Sequence, residues 1–259
     1  MRLDKAIFQR GLVQSRSRAA LLIEEGSVLV NGETVLKASR EVSDADEISV
    51  TDSIGYVGRG GLKLEHALKT FSVSADGKDC LDIGASTGGF TQCLLNNGAK
   101  RVVAVDVGHG QMHESIASDK RVVLFENTNA RFITADTVLG KKDLIVMDVS
   151  FISQTEIYPA ICDSLKDEGT AITLVKPQFE AGSRFLNKKG IVKDKKAYYL
   201  TFQKLLQHLL PLGLGIFDCC PSSIKGGDGN VEFLILIKKG VSTFDSDEFL
   251  NKWLKGDKN

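Results

Sequence analysis

Four charged side chains stand where apolar runs begin or end. Asp148 closes Leu144-Ile145-Val146-Met147, and Lys176 closes Ile172-Thr173-Leu174-Val175. Glu232 opens Phe233-Leu234-Ile235-Leu236-Ile237, and Lys63 follows a glycine-rich stretch upstream of the first such run. A lysine–aspartate–lysine–glutamate set suits an alcohol as acceptor of a transferred group. A ribose 2′-hydroxyl is too weak an acid to ionise at neutral pH and needs a base. A free lysine, near ~10.4, is protonated there and cannot take a proton. A second cation and partial burial populate the neutral amine, and Lys63 and Lys176 would do this for each other. Asp148 and Glu232 would orient both groups. Taken singly, each residue is also what a solvated strand end carries.

A second constellation offers a ligand site. Leu81-Asp82-Ile83-Gly84-Ala85-Ser86-Thr87-Gly88-Gly89-Phe90 reads as a buried strand, a glycine turn and a helix. Arg101-Val102-Val103-Ala104-Val105-Asp106 is a second strand ending on an acid. This is a nucleotide-binding half of a doubly wound sheet. Ser86 stands where the dinucleotide fingerprint has its second glycine, the one that lets backbone approach a pyrophosphate. S-adenosylmethionine has no phosphate and does not need that glycine. The candidate cofactor contacts are Asp82, Gly84, Ala85, Ser86, Thr87, Gly88, Gly89 and Phe90. Asp106, 22 residues after Gly84, would accept hydrogen bonds from the ribose hydroxyls. A strand-turn-helix with small residues chosen only for packing is the alternative.

The elements that must position these residues fall into two domains. The first, 1–53, starts with a short amphipathic helix on Leu3, Ala6, Ile7 and Leu12. Ser15 caps a second helix with Ala19, Leu22 and Ile23 on its apolar face, and Gly26 stops it. Val28-Leu29-Val30 is a strand, Asn31-Gly32 a hairpin signal, Val35-Leu36 the return, and 46–50 a last strand. Arg2, Lys5, Arg10, Arg16 and Arg18 lie in the helical part, opposed there by Asp4 alone. A rigid basic face of this kind meets RNA phosphates, although a solvated helix face has the same composition. Residues 54–60 read as a glycine linker, with a helix from Leu62 to Leu68.

The second domain, 61–259, alternates strands near 80–84, 101–106, 122–126, 143–149, 171–176, 214–218 and 232–238 with helices near 88–97, 110–117, 153–165 and 195–210. The fold class is α/β: a Rossmann-like, doubly wound methyltransferase sheet, preceded by a small α+β domain. In such a sheet the ligand lies at the carboxyl ends of the strands, which is where the charged set falls. The tail, with Trp253, reads as an amphipathic helix docked over the sheet.

Asp148-Val149-Ser150-Phe151 lacks the Pro-Pro-aromatic turn common in enzymes that methylate exocyclic base amines. Cys162 is mid-helix, and Cys219 and Cys220 end a late strand, so no thiol is well placed for attack on cytosine carbon five.

The N-terminal string of Arg2-Leu3-Asp4-Lys5, Ser15-Arg16, Ala19, Ile23, Gly26, Val28, Val30 and Asn31-Gly32 resembles the RNA-binding domain of ribosomal protein S-four and its relatives. The longer blocks are similar to the TlyA (haemolysin A-like) family of rRNA 2′-O-methyltransferases. They are Gly58-Arg59-Gly60-Gly61-Leu62-Lys63-Leu64, Asp82 to Thr91, Ala104-Val105-Asp106-Val107-Gly108, Asp148-Val149-Ser150-Phe151-Ile152-Ser153 and Lys176-Pro177-Gln178-Phe179-Glu180. That resemblance implies an FtsJ-like fold with a Lys-Asp-Lys-Glu tetrad on Lys63, Asp148, Lys176 and Glu232. It implies methylation of a cytidine ribose in small-subunit rRNA, large-subunit rRNA or both, with ribosomal subunits as partners. Asn127-Thr128-Asn129 matches the family's adenosine-side loop, which adds Asn129 to the cofactor set. Gln154 departs from the pattern where an apolar residue is expected, a change that should perturb local packing. The alternatives are a haemolysin-type membrane-acting protein and a non-catalytic RNA-binding protein. A pseudouridine synthase is disfavoured because its catalytic aspartate motif is missing.

Composition sets the outer bounds. The chain has 259 residues, 42% hydrophobic and 25% charged, with zero formal net charge, which suits a globular protein with local patches. No apolar run reaches the ~18 residues of a membrane span, and the charged start is unlike a signal peptide. These features, with scattered cysteines and no C-x-x-C pair, predict a cytoplasmic protein with reduced thiols. His109 and His113 are four apart and could share a helix face, but no further ligand completes a metal set.

Overall fold

The computed structural model describes residues 1–13, 15–24, 26–50, 55–227 and 229–256. The expected domain boundary at 53–54 lies outside them. In the N-terminal domain, α1 (Leu3–Gln9) and α2 (Arg16–Glu24) pack on a three-stranded sheet of β1 (Val28–Val30), β2 (Glu33–Thr34) and β3 (Ile48–Val50), ordered β2-β1-β3. Leu3, Ala6, Ile7, Ala19, Leu22, Ile23, Val28 and Val30 form its core. Leu12 falls beyond α1 and is exposed. Ser15 Oγ accepts the Arg18 N–H and caps α2. The Asn31-Gly32 turn has both residues at positive φ, as a tight hairpin needs. The return strand comes two residues early, at Glu33–Thr34 in place of Val35–Leu36.

The second domain begins with α3 (Gly60–Thr70) and continues β4 (Asp79–Ile83), α4 (Gly89–Asn96), β5 (Arg101–Val105), α5 (Glu114–Ala117), β6 (Val122–Phe125) and β7 (Lys142–Met147). Then come α6 (Tyr158–Ser164), β8 (Leu165–Val175), α7 (Pro177–Glu180), α8 (Lys196–Leu209), β9 (Leu214–Pro221), β10 (Phe233–Lys239) and α9 (Ser246–Gly256). The seven strands run β6-β5-β4-β7-β8-β10-β9, with β10 alone running opposite to the rest. The chain winds outward from β4 in both directions, so a crevice opens above the ends of β4, β5 and β7. One apolar cluster fills each face of the sheet, centred on Leu81, Ile145 and Phe233 on one side and on Cys80, Leu144 and Leu234 on the other.

Several expectations are corrected. The segment at 55–60 is no open linker: Tyr56 and Val57 are buried, and the Val57 N–H donates to Gln92 Oε1 at 2.6 Å. Helix α3 starts at Gly60, not Leu62; Gly61 makes room for the Tyr56 ring, and Gly89 lets α4 lie against the backbone of Gly58 and Gly61. The helix expected over 110–117 is only Glu114–Ala117. His113 Nδ1 accepts the Ser115 N–H and caps it, while His109 lies upstream and pairs with Glu126, so the two histidines share no face. The helix expected over 153–165 is a 3-10 turn at Gln154–Glu156 followed by α6, which opens on Pro159. Strand β8 reaches back to Leu165. Helix α7 has no counterpart in the sequence reading; four residues are too few to show a helical period. Helix α9 docks as expected: Trp253 meets Phe233 edge-on at 4.9 Å and Tyr198 at 5.4 Å.

One carboxylate sits in the middle of this core. Asp82 on β4 is fully buried, and its Oδ2 accepts the Thr91 hydroxyl at 2.6 Å. Burial pushes its pKa up, the nearby charges of Asp148 and Asp106 add to that, and the Thr91 bond only partly opposes it, leaving a value of about 7.

Two predictions follow from the turn and the strand beneath it. Gly84 has φ +81°, and a Cβ there would collide with the Asp148 carbonyl oxygen. Gly84→Ala should therefore lower unfolding free energy in urea by about 2 kcal/mol or more; an unchanged midpoint and slope would show that the turn yields. Asp82 binds its proton more tightly folded than unfolded. Its contribution is most favourable below its ordinary 3.8 and is lost as pH rises toward about 7. Asp82→Asn should make the protein relatively more stable than wild type at pH 8 than at pH 4, measured by urea unfolding without ligand. A constant difference across that range would place the Asp82 pKa near normal.

Candidate functional site

The register of the sheet builds one end of the site. Strands β7 and β8 are parallel neighbours with Met147 beside Thr173, so Asp148 and Lys176 emerge at the same edge. Strand β10 runs the other way, with Phe233 opposite Val175, and this brings the start of β10, Glu232, to that edge too. The first turn of α3 supplies Lys63. All four side chains line one cleft. Lys176 Nζ is 2.6 Å from Asp148 Oδ1, and Lys63 Nζ donates to Glu232 Oε2 at 2.7 Å. Lys176 Nζ also donates to Ser150 Oγ at 2.7 Å. The lysines are about as withdrawn as their partners, with 10% and 12% of the side chain exposed for Lys63 and Lys176. Burial alone would raise the Asp148 pKa, but the charges of Lys176 and Lys63 outweigh it and hold the carboxyl below the usual range.

The cleft continues past Gly84 and Ser86 to Asp106, Thr128, Asn129 and Arg131. Asp106 stands at the carboxyl end of β5. Its Oδ2 accepts the Ser86 N–H and its Oδ1 the Gly108 N–H, both at 2.7 Å, so the acid fixes the glycine turn as well as facing the cleft. Ser86 itself has φ +47°. Glycine at that position would relieve conformation as well as make room, and the serine is held there by its bond to Asp106. Asn129 lines the cleft and also caps a short turn by accepting the Arg131 N–H.

The remaining cofactor candidates lie behind this wall. Ala85, Thr87, Gly88, Gly89 and Phe90 begin the turn and α4, where Phe90 packs against Gly60 and Gly89 against Gly58 and Gly61. Asp82 is beneath the turn, and its Oδ1 finds no donor among the described residues. Sequence reasoning missed Ser150, Phe151, Gln178 and Phe179 at the cleft. Phe151 is 89% exposed at φ +63°, 5.1 Å from the ring of Phe179. A positive φ on an exposed aromatic has no sequence signature.

Gln154 is a hub, where a packing defect was expected. Its Oε1 accepts the hydroxyls of Tyr158 and Thr173, and its N–H donates to Glu180 Oε1. Ser153 Oγ and Lys204 Nζ both donate to Glu180 Oε2, at 2.6 and 2.9 Å. The loop after Asp148 is thus fastened to α7 and α8, and an apolar residue at 154 would leave two buried hydroxyls without this acceptor.

The arginines of the N-terminal domain are partly committed. Asp4, with a pKa held at about 2 chiefly by its hydrogen bond to Arg2, also pairs with Arg16 at 2.8 Å. Arg10 donates to the carbonyls of Ser43 and Asp46. Arg2 and Arg16 remain half exposed and Lys5 is exposed, whereas Arg18 is half-buried. Leu21 of α2 reaches the cleft that holds the four charged residues. Among the described residues no group of histidine, cysteine and carboxylate side chains could hold a metal, and no helix is long and apolar enough to cross a membrane.

Residues 56–239 match the FtsJ-like methyltransferase family, and residues 1–48 match the S4 domain. Hemolysin A of Brachyspira hyodysenteriae is 42% identical over 235 residues, covering 90% of this chain and 98% of its own. The 16S/23S rRNA (cytidine-2′-O)-methyltransferase TlyA of Mycobacterium tuberculosis is 40% identical over 239 residues, covering 92% of this chain and 89% of its own. A solved structure from Streptococcus thermophilus, described as a candidate hemolysin, superposes with a TM-score of 0.77 at 34% identity over 100% of this chain and 98% of that one. The chain therefore belongs to the TlyA (haemolysin A-like) family, an S4 domain followed by an FtsJ-like methyltransferase domain.

Proposed function

We propose that this protein transfers a methyl group from S-adenosylmethionine to the 2′-hydroxyl of a cytidine ribose in ribosomal RNA. The observation that carries this reading is one continuous cleft with Lys63, Asp148, Lys176 and Glu232 at one end and Asp106 at the other. The reaction named for the Mycobacterium tuberculosis relative is of this kind.

The residues present fit the cofactor. Gly84 leaves its backbone bare at the cleft, Asp106 offers two carboxylate oxygens to a ribose diol, and Asp82 keeps an acceptor without a donor beneath the turn. Thr128, Asn129 and Arg131 would border the adenosine end. When bound, S-adenosylmethionine supplies a methyl group made electrophilic by its sulfonium.

The chain's own part is to position the acceptor and take its proton. A neutral lysine amine has two N–H groups and one lone pair. Asp148 Oδ1 and Ser150 Oγ lie 2.6 and 2.7 Å from Lys176 Nζ and hold it at the cleft. A ribose hydroxyl held there would give its proton to Lys176 Nζ while its oxygen attacks in line. Glu232 holds Lys63 beside the pair. Phe151 and Phe179 present aromatic surface at the cleft, which suits the stacking of a base from an unpaired RNA segment. In this reading Arg2, Lys5, Arg16 and Arg18 of the S4 domain meet phosphate, and Arg10 braces that surface.

Asp106→Ala should weaken S-adenosylmethionine binding by about 1.5–3 kcal/mol, through lost hydrogen bonds to the ribose and a loosened turn. Calorimetry giving equal affinity would remove Asp106 from the cofactor site. Lys176→Ala should lose nearly all methyl transfer in single-turnover assays on ribosomal subunits, with cofactor affinity kept. Lys176→Arg should be nearly as inactive, because a guanidinium stays protonated. An arginine variant as fast as wild type would leave Lys176 a positioning cation and not a base.

A further inference from the structure

A cationic segment follows α7, and the tetrad and the S4 domain do not account for it. Between Gly182 and Lys196 the chain carries Arg184, Lys188, Lys189, Lys193, Lys195 and Lys196 against one acid, Asp194. All six are exposed. A run of lysines on a loop is ordinarily a solvated surface, but this one is built on a braced hairpin. Asn187 Oδ1 accepts the N–H groups of Lys189 and Ile191 at 2.7 and 3.0 Å. Leu186 and Val192 bridge, and the Lys193 N–H donates to the Phe185 carbonyl. Asn230, only 1% exposed, clamps the hairpin from behind: its Oδ1 accepts the Val192 N–H at 2.9 Å and its Nδ2 donates to the Gly190 carbonyl at 3.1 Å. Asn230 lies two residues before Glu232. The backbone that carries the cations is therefore braced, and the residue that clamps it is two positions from Glu232 of the proposed reacting centre, which lowers the ordering cost of the loop on binding.

We propose that the hairpin at 184–196 is a second RNA-binding surface, a phosphate clamp on the catalytic domain that acts alongside the S4 domain. This rests on the RNA reading above. Charge complementarity favours a polyanion. The chemistry disfavours a membrane, because Phe185, Leu186, Ile191 and Val192 are turned at least partly inward, while a lipid-binding segment exposes its apolar residues to insert them.

The test compares the full-length protein with its K188A/K189A/K193A variant, whose substitutions leave every hairpin backbone bond possible. Binding to a labelled RNA stem-loop is followed across salt concentrations. The variant should show a salt slope shallower by about 2–3 and an affinity lower by about tenfold or more near physiological salt. Calorimetry should give unchanged S-adenosylmethionine affinity, and methylation of ribosomal subunits should show a raised KM with kcat retained. An unchanged slope and affinity overturn the proposal. Loss of binding to phosphatidylserine vesicles with RNA binding intact also overturns it, in favour of a membrane surface. A wild-type protein that binds RNA with the steeper slope, yet methylates no subunit, supports the clamp while the proposed function fails.

Discussion

The proposed reacting edge depends on charge compensation. Two lysines and two acids share a cleft largely withdrawn from water, and an unpaired charge there would be costly. Each is matched: Lys63 with Glu232 and Lys176 with Asp148. The first pair ties α3, which precedes the sheet, to the start of β10, across 169 positions of sequence. The second joins two neighbouring strands. Breaking such a pair leaves the surviving partner exposed to a penalty of about 3–5 kcal/mol, so fold and site are coupled through the same atoms. The antiparallel run of β10 is what makes this possible, because it delivers an N-terminal strand residue to an edge otherwise built from strand carboxyl ends.

A second constraint is close approach of backbone. Gly84 packs against the carbonyl of Asp148, and Gly89 against Gly58 and Gly61. Side chains at these points would push β4 from β7 and α4 from α3, and with them the two halves of the cleft. The loop after Asp148 is held from its other side by Glu180, Gln154 and Lys204. Ser150 and Phe151 therefore sit on a loop pinned at both ends, and a positive φ at Phe151 is sustained by that pinning.

The same economy is seen in the basic residues. Asp4 is buried under two arginines and stays ionised, so it sets their direction while cancelling part of their charge. Arg10 satisfies carbonyls in the turn at 43–46. A count of basic residues along the first two helices overstates the charge available to a ligand. The hairpin after α7 has the opposite character, with its backbone braced by Asn187 and Asn230 and its cations exposed.

Much of the fold was legible in the sequence because its signals are local. Unbroken apolar runs such as Leu144–Met147 mark buried parallel strands, glycine at 84 and 88 marks the turn, and the polar residue that ends each run marks the ligand edge. The motif blocks hold Lys63, Asp148, Lys176 and Asp106, and Glu232 is marked by its place at the opening of the apolar run 233–237. What the sequence could not carry were relations set by tertiary contact. It grouped Lys63 and Glu232 with the other two charges but did not say which acid meets which lysine; the reversed strand decided that Glu232 meets Lys63. It showed Gln154 as an anomaly; the hydroxyls of Tyr158 and Thr173 made it an acceptor in a buried network. It showed five basic residues at 2–18 as equivalent, whereas their partners divide them. Periodicity and spacing report how a segment buries its own face. Hydrogen bonds and ion pairs between distant segments depend on which segments the folded chain brings within about 3 Å of each other, and that is decided only when the sheet closes.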